Sequence, residues 1–497
     1  MTQIAVALLV VATVLGAGGT ARAATNLPAL PATIRVNIAG LGTSYAVISS
    51  TGTLTATASD GSVLYRGGGR TVSRTNVRKV AGTDLVLPPR REGTLTPSER
   101  ADRSAELRSA RAAQADSGPR SLITIPFQFS VLQGPNDDIG SQAITADRPM
   151  LIRFTTDDGI LQYNGRFYRG RLELALDDES DLIVVNTVRT HDYLASVVGS
   201  EVPSSWENEA LAAQAVAART YLYTHLGRHR SYDLEGDTRD QEYDGTANED
   251  ARTVRAVERT AGRIATFAGR PIEALYSANA GGLTEDSENV FGNALPYLRS
   301  VTSPGDAVAR DSSWGKTSYE WTKEISATQL RDYLVARGFD VGVPREIALT
   351  SVSPTGRVLT ARVVGSTGTK DIGKDRARYY FGLRSSLFAV SVRDRGATER
   401  VPAADVDRQR ALAGLDARQT ATEFEVLRDA TGTEIGLQAT AYRYELPATF
   451  VFTGKGFGHG VGMSQWGAQG MALKGSSAEE ILAYYYRGTA VTAVGGD

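Results

Sequence analysis

The chain has 497 residues, which is about three times the length of a typical single domain, so one small domain is excluded. Lysine and arginine number 54 and aspartate and glutamate 56, a formal net charge of −2, so no global positive field is available for nucleic acid or an anionic bilayer. Cysteine is absent and only 4 histidines are present, which excludes disulfides, thiolate nucleophiles and cysteine-ligated metals and disfavours histidine-rich metal sites.

The first residues have the pattern of a secretory signal. An apolar run at residues 4–15 is followed by Ala21-Arg22-Ala23, the small-x-small pattern of a signal-peptidase site. The run is shorter than the ~20 residues that a bilayer-spanning helix needs. Residues 1–23 are therefore predicted to be a signal peptide, and the mature protein is expected to be exported, to the periplasm or cell wall, without a membrane span. A short buried helix is the alternative.

Short strand patterns separated by turn residues fill most of the chain before residue 190. Residues 24–87 are rich in β-branched side chains with Gly, Ser and Asp between the runs, and strand patterning resumes at residues 121–190. Residues 88–120 between them are charged and flanked by proline, which indicates a solvated linker or insertion. We therefore predict two β-rich regions and a connecting charged segment.

The remainder is mixed in pattern. Residues 191–397 are predicted to be the first part of the main domain: residues 192–297 carry the strongest helix signals, and residues 298–397 are mixed and include a predicted helix at Ala327–Arg337. Residues 398–445 are charged and alanine-rich, as expected of an insertion. Residues 446–497 hold a glycine-rich motif and a final helix. The fold class expected is α+β, with a β-rich N-terminal part followed by a mixed α/β domain.

One carboxylate stands in an unusual setting ahead of a predicted central helix. Ser204 and Glu207 have the S-x-x-E spacing of a capping box, which predicts a helix start near Ser205, and the alanines that follow predict that this helix is buried. Glu201 lies between Val197-Val198-Gly199 and Val202-Pro203. Such an apolar setting raises a carboxyl pKa, as a general acid at neutral pH requires. The alternative is a glutamate that only complements the helix dipole.

The segment GKGFGHGVG has glycine at every second position, so one face of it has no side chains and allows a backbone or a sugar ring to approach closely. It matches neither a phosphate-binding loop nor a nucleophile elbow, because Trp466 stands where the elbow needs glycine. His459 and Gln465 are interpreted as polar groups lining a groove or as hydrogen-bonding anchors of the loop. A serine hydrolase built on Ser464 and His459 is a weak alternative.

Several separated motifs resemble the stage II sporulation protein D family, which includes amidase enhancers of bacterial cell walls. They are YLASVVGSEVPSSW, EALAAQAVAARTY, SANAGGLTEDSENVFG with PYLRSV, GLRSSLF, and GKGFGHGVGMSQWGAQGMA with EEILAYYYRGT, which together span residues 192–490. The resemblance implies a catalytic domain with an open substrate groove and a peptidoglycan lytic transglycosylase that leaves 1,6-anhydro ends. Glu201 then matches the catalytic glutamate, and Val202 replaces a more usual methionine.

The resemblance also suggests further site residues. Arg219 matches a family-typical arginine, although its distance along the helix favours a structural role over substrate binding. Ser277, Gly281 and Gly282 follow the predicted strand PIEALYSA and are expected to line the same groove. Glu285 and Asp286 are expected in a solvated loop.

No metal or other cofactor is expected. Some family members carry a Cys/His zinc cluster in the loop after the central helix, but here residues 234–245 contain neither residue type. Asp237, Asp240 and Asp244 of this loop lack calcium-loop spacing, so a solvated acidic loop is predicted. The expected partners are peptidoglycan glycan strands and a cell-wall amidase, and not nucleic acid. The alternative function is a non-catalytic, wall-binding amidase enhancer.

Overall fold

The computed structural model describes residues 27–40, 45–68, 70–75, 125–132, 138–146, 150–176, 182–229, 231–394, 396–414 and 417–495. The predicted signal peptide at 1–23 and the predicted linker at 88–120 lie outside these residues. Within the described ranges, no helix combines the length and apolar character needed to cross a membrane.

The strands expected before residue 190 are present, which confirms the β-rich N-terminal part. Their bounds are β1 Thr33–Asn37, β2 Tyr45–Ser50, β3 Leu54–Ala58, β4 Val63–Gly67, β5 Arg70–Thr75, β6 Ile125–Leu132, β7 Asp138–Ala146, β8 Met150–Thr156, β9 Leu161–Tyr163, β10 Arg166–Tyr168, β11 Arg171–Leu176 and β12 Leu182–Arg189. With β13 (Leu234–Glu235) they form a sheet of order β13-β1-β12-β11-β8-β3-β4 and a second of order β10-β9-β2-β5-β6-β7. All neighbours are antiparallel except β1 and β13.

Three helices follow these strands: α1 Thr190–Glu201, α2 Asn208–His225 and α3 Ala251–Arg259. Helix α2 is buried along most of its length, as its alanines predict. The predicted start near Ser205 is wrong by about one turn, because Glu207, not Ser204, is the N-cap and it makes no side-chain cap hydrogen bond. A distant group replaces the local cap, since Gln469 Oε1 accepts from the backbone N–H of Glu207 at 2.9 Å. Glu201 accordingly ends α1 and does not immediately precede α2.

The β-rich part and the helices share one core. Ile34 of β1, Leu172 of β11, Leu211 of α2 and Trp466 near the C-terminus belong to the same cluster of buried side chains. The strands before residue 190 therefore pack directly against the helical layer, and the apolar area they bury is shared with it.

The rest of the chain adds small sheets and short helices. The helical elements are α4 Ser287–Val290, a 3₁₀ helix Pro304–Asp311, α5 Lys316–Tyr319, α6 Ala327–Val335 and α7 Arg376–Phe381. The strands are β14 Arg263–Phe267, β15 Arg270–Pro271, β16 Tyr276–Ser277, β17 Glu320–Ser326, β18 Pro344–Val352, β19 Val358–Gly365, β20 Thr369–Gly373 and β21 Phe388–Arg393. Helix α6 bears out the helix expected at Ala327–Arg337, with Ser326 as its cap.

Residues 398–445 form a separate three-stranded sheet of order β22-β24-β23. Its elements are β22 Thr398–Pro402, α8 Val406–Gly414, β23 Arg418–Arg428 and β24 Glu434–Glu445. Val401, Leu412 and Tyr444 make a small core of their own. Where the segment begins and ends, the backbone N–H of Leu446 donates to the carbonyl of Ala397 at 2.8 Å, so its two ends meet.

The C-terminal elements return to the helical layer. They are β25 Thr449–Lys455, β26 Met463–Ser464, α9 Gln465–Ala472, α10 Ala478–Tyr485 and β27 Thr489–Ala493. The sheets formed are β15-β14-β27, β16-β26, β17-β25-β21 and β18-β19-β20. The parallel pair β16-β26 places Tyr276 beside Met463 and Ser277 beside Ser464, which brings the two predicted groove motifs together.

Candidate active site

Glu201 is the last residue of α1, and the segment that follows it is tied down by an arginine. The guanidinium of Arg252 donates to the carbonyl of Ser204 at 2.8 Å, to that of Trp206 at 2.6 Å and to the side chain of Asn208 at 3.1 Å. A second constraint comes from Gly199, where a Cβ would overlap the carbonyl oxygen of Asn248. Glu201 is thus held on a rigid helix end against the loop of residues 236–250.

Both carboxyl oxygens of Glu201 accept hydrogen bonds from neutral donors. Oε1 accepts from the backbone N–H of Glu242 at 3.1 Å and from the hydroxyl of Tyr276 at 3.4 Å. Oε2 accepts from Nε2 of Gln465 at 3.0 Å. These three partners come from three separate parts of the chain, and Glu201 as a residue is half-buried.

The surroundings raise the pKa of Glu201 to about 7, chiefly because burial penalises the carboxylate. The hydrogen bonds from Glu242, Gln465 and Tyr276 stabilise the carboxylate and limit this rise, and the negative charge of Glu242 adds to it. The direction is the one that the apolar sequence setting predicts. A carboxyl with this pKa exists in both protonation states near neutral pH, so it can donate a proton and later accept one.

Tyr276 is itself positioned by a chain of buried polar groups. Nε2 of Gln241 donates to the Tyr276 hydroxyl at 2.8 Å, and the hydroxyl of Tyr193 donates to Oε1 of Gln241 at 3.0 Å. Burial raises the pKa of both tyrosines well above its usual value, so both phenols stay neutral. Because the Tyr276 oxygen accepts from Gln241, its own proton is directed to Glu201.

The loop at 234–245 is not the solvated acidic loop that the sequence predicts. Gln241 is 1% exposed and the side chain of Asp240 is 1% exposed. Asp240 accepts from Tyr221, Arg228 and the backbone of Glu235, and Arg239 pairs with Glu235 and Asp237. The acidic residues therefore make hydrogen bonds and ion pairs that hold together a packed loop, and this loop faces Glu201. Among the described residues, no three or more His, Asp or Glu side chains are grouped so as to hold a metal ion.

The glycine-rich segment packs closely against the strand that carries Tyr276. Ser277 Oγ accepts from the backbone N–H of Gly460 at 3.2 Å, and a Cβ at Gly458 would lie 2.7 Å from Cβ of Ser277. Gly458 and Gly460 also have φ values of 103° and 73°, where glycine avoids the cost that a side chain incurs. The alternating glycines therefore allow the glycine-rich segment to pack closely against the strand that carries Tyr276 and Ser277.

Gly281 and Gly282 form a turn at the end of the same motif. Their φ values are 77° and 99°. The backbone N–H of Gly281 donates to Oδ1 of Asn279 and that of Gly282 to Oδ2 of Asp306, both at 2.8 Å. This turn is part-buried beside Gly456, whose φ is 82°.

His459 lies on the same segment as a neutral ring. Its Nδ1 accepts from the backbone N–H of Val461 at 3.0 Å, and Phe291 packs edge-on at 5.3 Å between ring centroids. Burial, followed by the nearby guanidinium groups of Arg378 and Arg357, lowers the pKa of His459 to about 3. The ring therefore acts as an uncharged anchor of the loop and remains partly exposed.

Ser464 is not paired with His459. Its hydroxyl is 0% exposed, donates to Asp306 and accepts from the backbone N–H of Ala280 at 3.1 Å and of Gly467 at 3.4 Å. Ser464 thus caps α9 and anchors the Ala280 turn, and the nucleophile–base contact that a serine hydrolase needs is missing.

Comparison with known proteins addresses the same region. Residues 178–267, which hold Glu201, Gln241 and Glu242, match the family model of the stage II sporulation protein SpoIID. Stage II sporulation protein D of Bacillus subtilis (strain 168) is 28% identical over 328 residues, 62% of this chain and 76% of that protein. The region that holds Glu201 is therefore similar to the stage II sporulation protein D family.

Two further relatives widen the comparison. The amidase enhancer of Bacillus subtilis (strain 168) is 28% identical over 307 residues, 60% of this chain but 40% of that protein. An uncharacterised protein of Brachyspira hyodysenteriae is 29% identical over 340 residues, 68% of this chain and 75% of that protein. The stage II sporulation protein D match is therefore spread over much of both chains, whereas the amidase enhancer has a large part without a counterpart here.

Arg219, which the sequence resemblance suggests as a site residue, lies elsewhere. It is 0% exposed and donates to the carbonyls of Thr260 at 2.7 Å and Val257 at 3.0 Å. It therefore ties α2 to the end of α3, which favours the structural interpretation over the substrate-binding one. Glu285 is likewise buried, accepting from Asn289, Ser353 and Thr355, so the expectation of a solvated loop is wrong for it.

The site around Glu201 also contains groups that the sequence patterns do not indicate. Tyr276, Gln241, Tyr193 and Glu242 all bear on Glu201, directly or through the phenol–amide chain. For Tyr276 the one available signal was its position, because it immediately precedes Ser277, the first residue of the motif SANAGGLTEDSENVFG. Of the predicted site residues, Gln465 contacts Glu201, while Ser277, Gly281, Gly282 and His459 belong to the adjoining turn and loop.

Proposed function

We propose that this chain is an exported peptidoglycan lytic transglycosylase, with Glu201 as its acid and base. Such an enzyme cleaves the β-1,4 bond between N-acetylmuramic acid and N-acetylglucosamine and leaves a 1,6-anhydro end. The observation that carries the proposal is one carboxyl group of pKa about 7, on a half-buried residue and held at both oxygens by neutral donors. The match of residues 178–267 to the stage II sporulation protein model, and the similarity to stage II sporulation protein D, support it independently.

One carboxyl group is sufficient for this chemistry. In the first step Glu201 donates its proton to the glycosidic oxygen as the bond from C1 to that oxygen breaks. In the second step the C6 hydroxyl of the same sugar attacks C1, and the Glu201 carboxylate accepts the hydroxyl proton. No water enters, and Glu201 returns to its starting protonation state. A hydrolase would instead need a second carboxyl group as nucleophile or as base toward water.

The groups around Glu201 suit both steps. Gln465, Tyr276 and the backbone N–H of Glu242 can stabilise the carboxylate left after proton donation without themselves changing charge. Tyr276 cannot compete as the acid, since burial raises its pKa well above its usual value. His459 is neutral at the pH of the cell wall and provides no alternative cation.

The test is product analysis with an isosteric variant. We expect the purified protein to release anhydro-ended fragments from peptidoglycan, including glycan strands stripped of stem peptides. Each fragment is lighter by one water than the hydrolysis product in the mass spectrum. We expect Glu201→Gln to lose activity at least a hundredfold, since proton transfer typically contributes 10²–10⁴. Glu207→Gln, an exposed glutamate in the next segment, is the matched control and should keep activity. Hydrolytic products, or an active Glu201→Gln protein, would refute the proposal.

A second candidate is a non-catalytic amidase enhancer, because one relative carries that name and the hairpin β23–β24 exposes apolar side chains. Phe424, Ile435 and Leu437 are 57%, 65% and 66% exposed, as in a surface that binds another protein. This candidate predicts release of wall fragments only when an amidase is added, with Glu201→Gln as effective as the unaltered protein.

A further inference from the structure

We propose that Trp314 is a stacking platform for a sugar ring of the glycan, at a subsite next to Glu201. This inference rests on the proposed function, since it names how the same site holds its substrate. Trp314 is 57% exposed, whereas the other three tryptophans of the chain are buried at 4–9%. An exposed indole offers a large, rigid and amphipathic surface on which a ring-shaped ligand can stack.

Trp314 is the outer member of a row of three packed indoles, called the stack below, whose neighbouring ring planes are tilted by 39° and 57°. Its ring centroid lies 5.0 Å from that of Trp466, which in turn lies 4.8 Å from that of Trp206. The two inner rings are buried, so one face of Trp314 is backed by a rigid aromatic layer while much of its surface meets solvent. A rigid, supported ring loses little conformational entropy when a ligand stacks on it.

The loop that carries Trp314 is also held in place. Ser312 Oγ accepts from the backbone N–H of Gly315 at 3.1 Å, and the N–H and Oγ of Ser318 both donate to the Gly315 carbonyl, at 2.7 and 2.6 Å. Gly315 has no side chain where a Cβ would overlap the Trp466 ring, so this backbone packs directly on the stack. The preceding 3₁₀ helix is anchored by buried Asp306, which bonds Ser464 and Ser303. The platform is therefore preformed.

The stack is continuous with the proposed acid. Trp466 follows Gln465, which donates to Glu201, and Trp206 lies in the Arg252-bound loop that follows Glu201. Two of the three indoles are thus carried by the segments that also hold Glu201 and its donor Gln465. In a β-linked hexopyranose the axial C–H bonds form a flat, apolar ring face, which is the surface that stacks on an indole. Exposed Ser313, Lys316 and Thr317 beside it offer hydrogen-bond donors to the ring's polar edge.

Tryptophan emission can test this binding directly, because three of the four tryptophans belong to the stack and Trp321 lies in a different core. The probe is a set of stem-peptide-free glycan strands, titrated into the Glu201→Gln protein so that the strands stay intact. We expect saturable quenching or a blue shift, and binding weaker by about tenfold in Glu201→Gln with Trp314→Ala, with an intermediate loss for Trp314→Phe. Tyr379→Ala, which removes an aromatic ring that is 51% exposed elsewhere, should change nothing.

Kinetics can distinguish a Trp314 that binds the glycan from a Trp314 that only supports the ring of Trp466. In the otherwise unaltered enzyme, Trp314→Phe should raise KM while kcat and the pH profile stay unchanged. Unaltered glycan affinity in Trp314→Ala, or a loss confined to kcat with a displaced pH profile, would overturn the subsite. If glycan binding depends on Trp314 but no anhydro product forms, the proposed reaction fails while the subsite stands. If anhydro product forms but Trp314→Phe leaves KM unchanged, the proposed reaction stands while the subsite fails.

Discussion

The protonation of Glu201 reflects opposing influences that can be removed one at a time. Burial and the charge of Glu242 favour the protonated acid, whereas hydrogen bonds from Gln465, Tyr276 and the Glu242 backbone favour the carboxylate. The first step of the proposed reaction needs the acid, so kcat/KM should be constant at low pH and fall as the pH rises through about 7. Substitutions of the neighbours should move this fall in directions set by the sign of each influence.

Replacing Glu242 by Gln removes a like charge and keeps the backbone N–H that bonds Glu201. The pKa of Glu201 should decrease, and the alkaline fall in kcat/KM should therefore begin at lower pH. The measurement is the pH dependence of release of anhydro-ended fragments. Glu249→Gln, in the same loop but paired with Arg169, is the control and should leave the profile in place. A profile displaced to higher pH would contradict the electrostatic argument.

Replacing Gln465 by Met, which has similar length and no donor, should act in the opposite direction. The carboxylate loses its one hydrogen bond at Oε2, so the pKa of Glu201 should increase and the fall in kcat/KM should move to higher pH. The rate at low pH should decrease about tenfold or more, because the carboxylate formed in the first step is also less stabilised. Gln469→Met, one turn along the same helix and bonded to Glu207 instead, should leave the profile unchanged.

At the scale of elements, packing between α1 and the loop at 236–250 sets the distance between Glu201 and its donors. Gly199 permits this packing, because a side chain there would meet the Asn248 carbonyl. The contact is between helix surface and loop backbone, so the loop has to move as a unit if it is disturbed.

We expect Gly199→Ala to shift this loop and to lower activity by an order of magnitude, with a loss of about 1–3 kcal/mol in the free energy of unfolding. Denaturant unfolding and the anhydro-product assay measure the two effects. Gly373→Ala is the comparison, since its φ is unstrained and no atom lies within 4 Å of the added Cβ. Full activity in Gly199→Ala would show that the loop does not set the geometry of Glu201.

Contacts between elements also explain which parts of the structure the sequence could predict. The strands and helix α6 follow from local patterns and a local cap, so their positions were predictable. The start of α2 was not, because Arg252 and Gln469 from distant segments hold the residues before it. Glu201 and Gln465 stood out as motif residues, but their hydrogen bond joins positions 264 apart. The Tyr276–Gln241–Tyr193 chain likewise depends on long-range contacts that no local pattern encodes.

At the scale of the whole molecule, residues 398–445 join the remainder through ends that meet. With its own small core and an N–H to carbonyl bond between Leu446 and Ala397, this segment resembles an inserted unit. The apolar side chains that it exposes lie on β23 and β24 and not in the shared core around α2. The proposed cleavage and a proposed protein contact would therefore occupy different parts of the molecule.

Replacing residues 398–445 by a short Gly/Ser linker should leave glycan cleavage within about twofold, because closing a short loop between adjacent ends costs little. The thermal midpoint of the remaining protein should change little, and any stimulation of an added amidase should disappear. Product yield, a melting curve and an amidase assay on the same preparation provide the check. Phe424→Ser with Leu437→Ser in the full chain is the milder variant, which should affect the amidase assay alone. Loss of cleavage in both variants would place the segment in the active machinery.

The bond between Glu201 and Gln465 has a consequence for when the proposed activity can arise. Residue 465 lies 264 positions after Glu201, so a nascent chain that ends between them contains the proposed acid but not the donor that orients it. The same holds for a fragment cut anywhere between the two positions. The proposed cleavage is thereby restricted to folded chains that contain both segments, without a separate inhibitor.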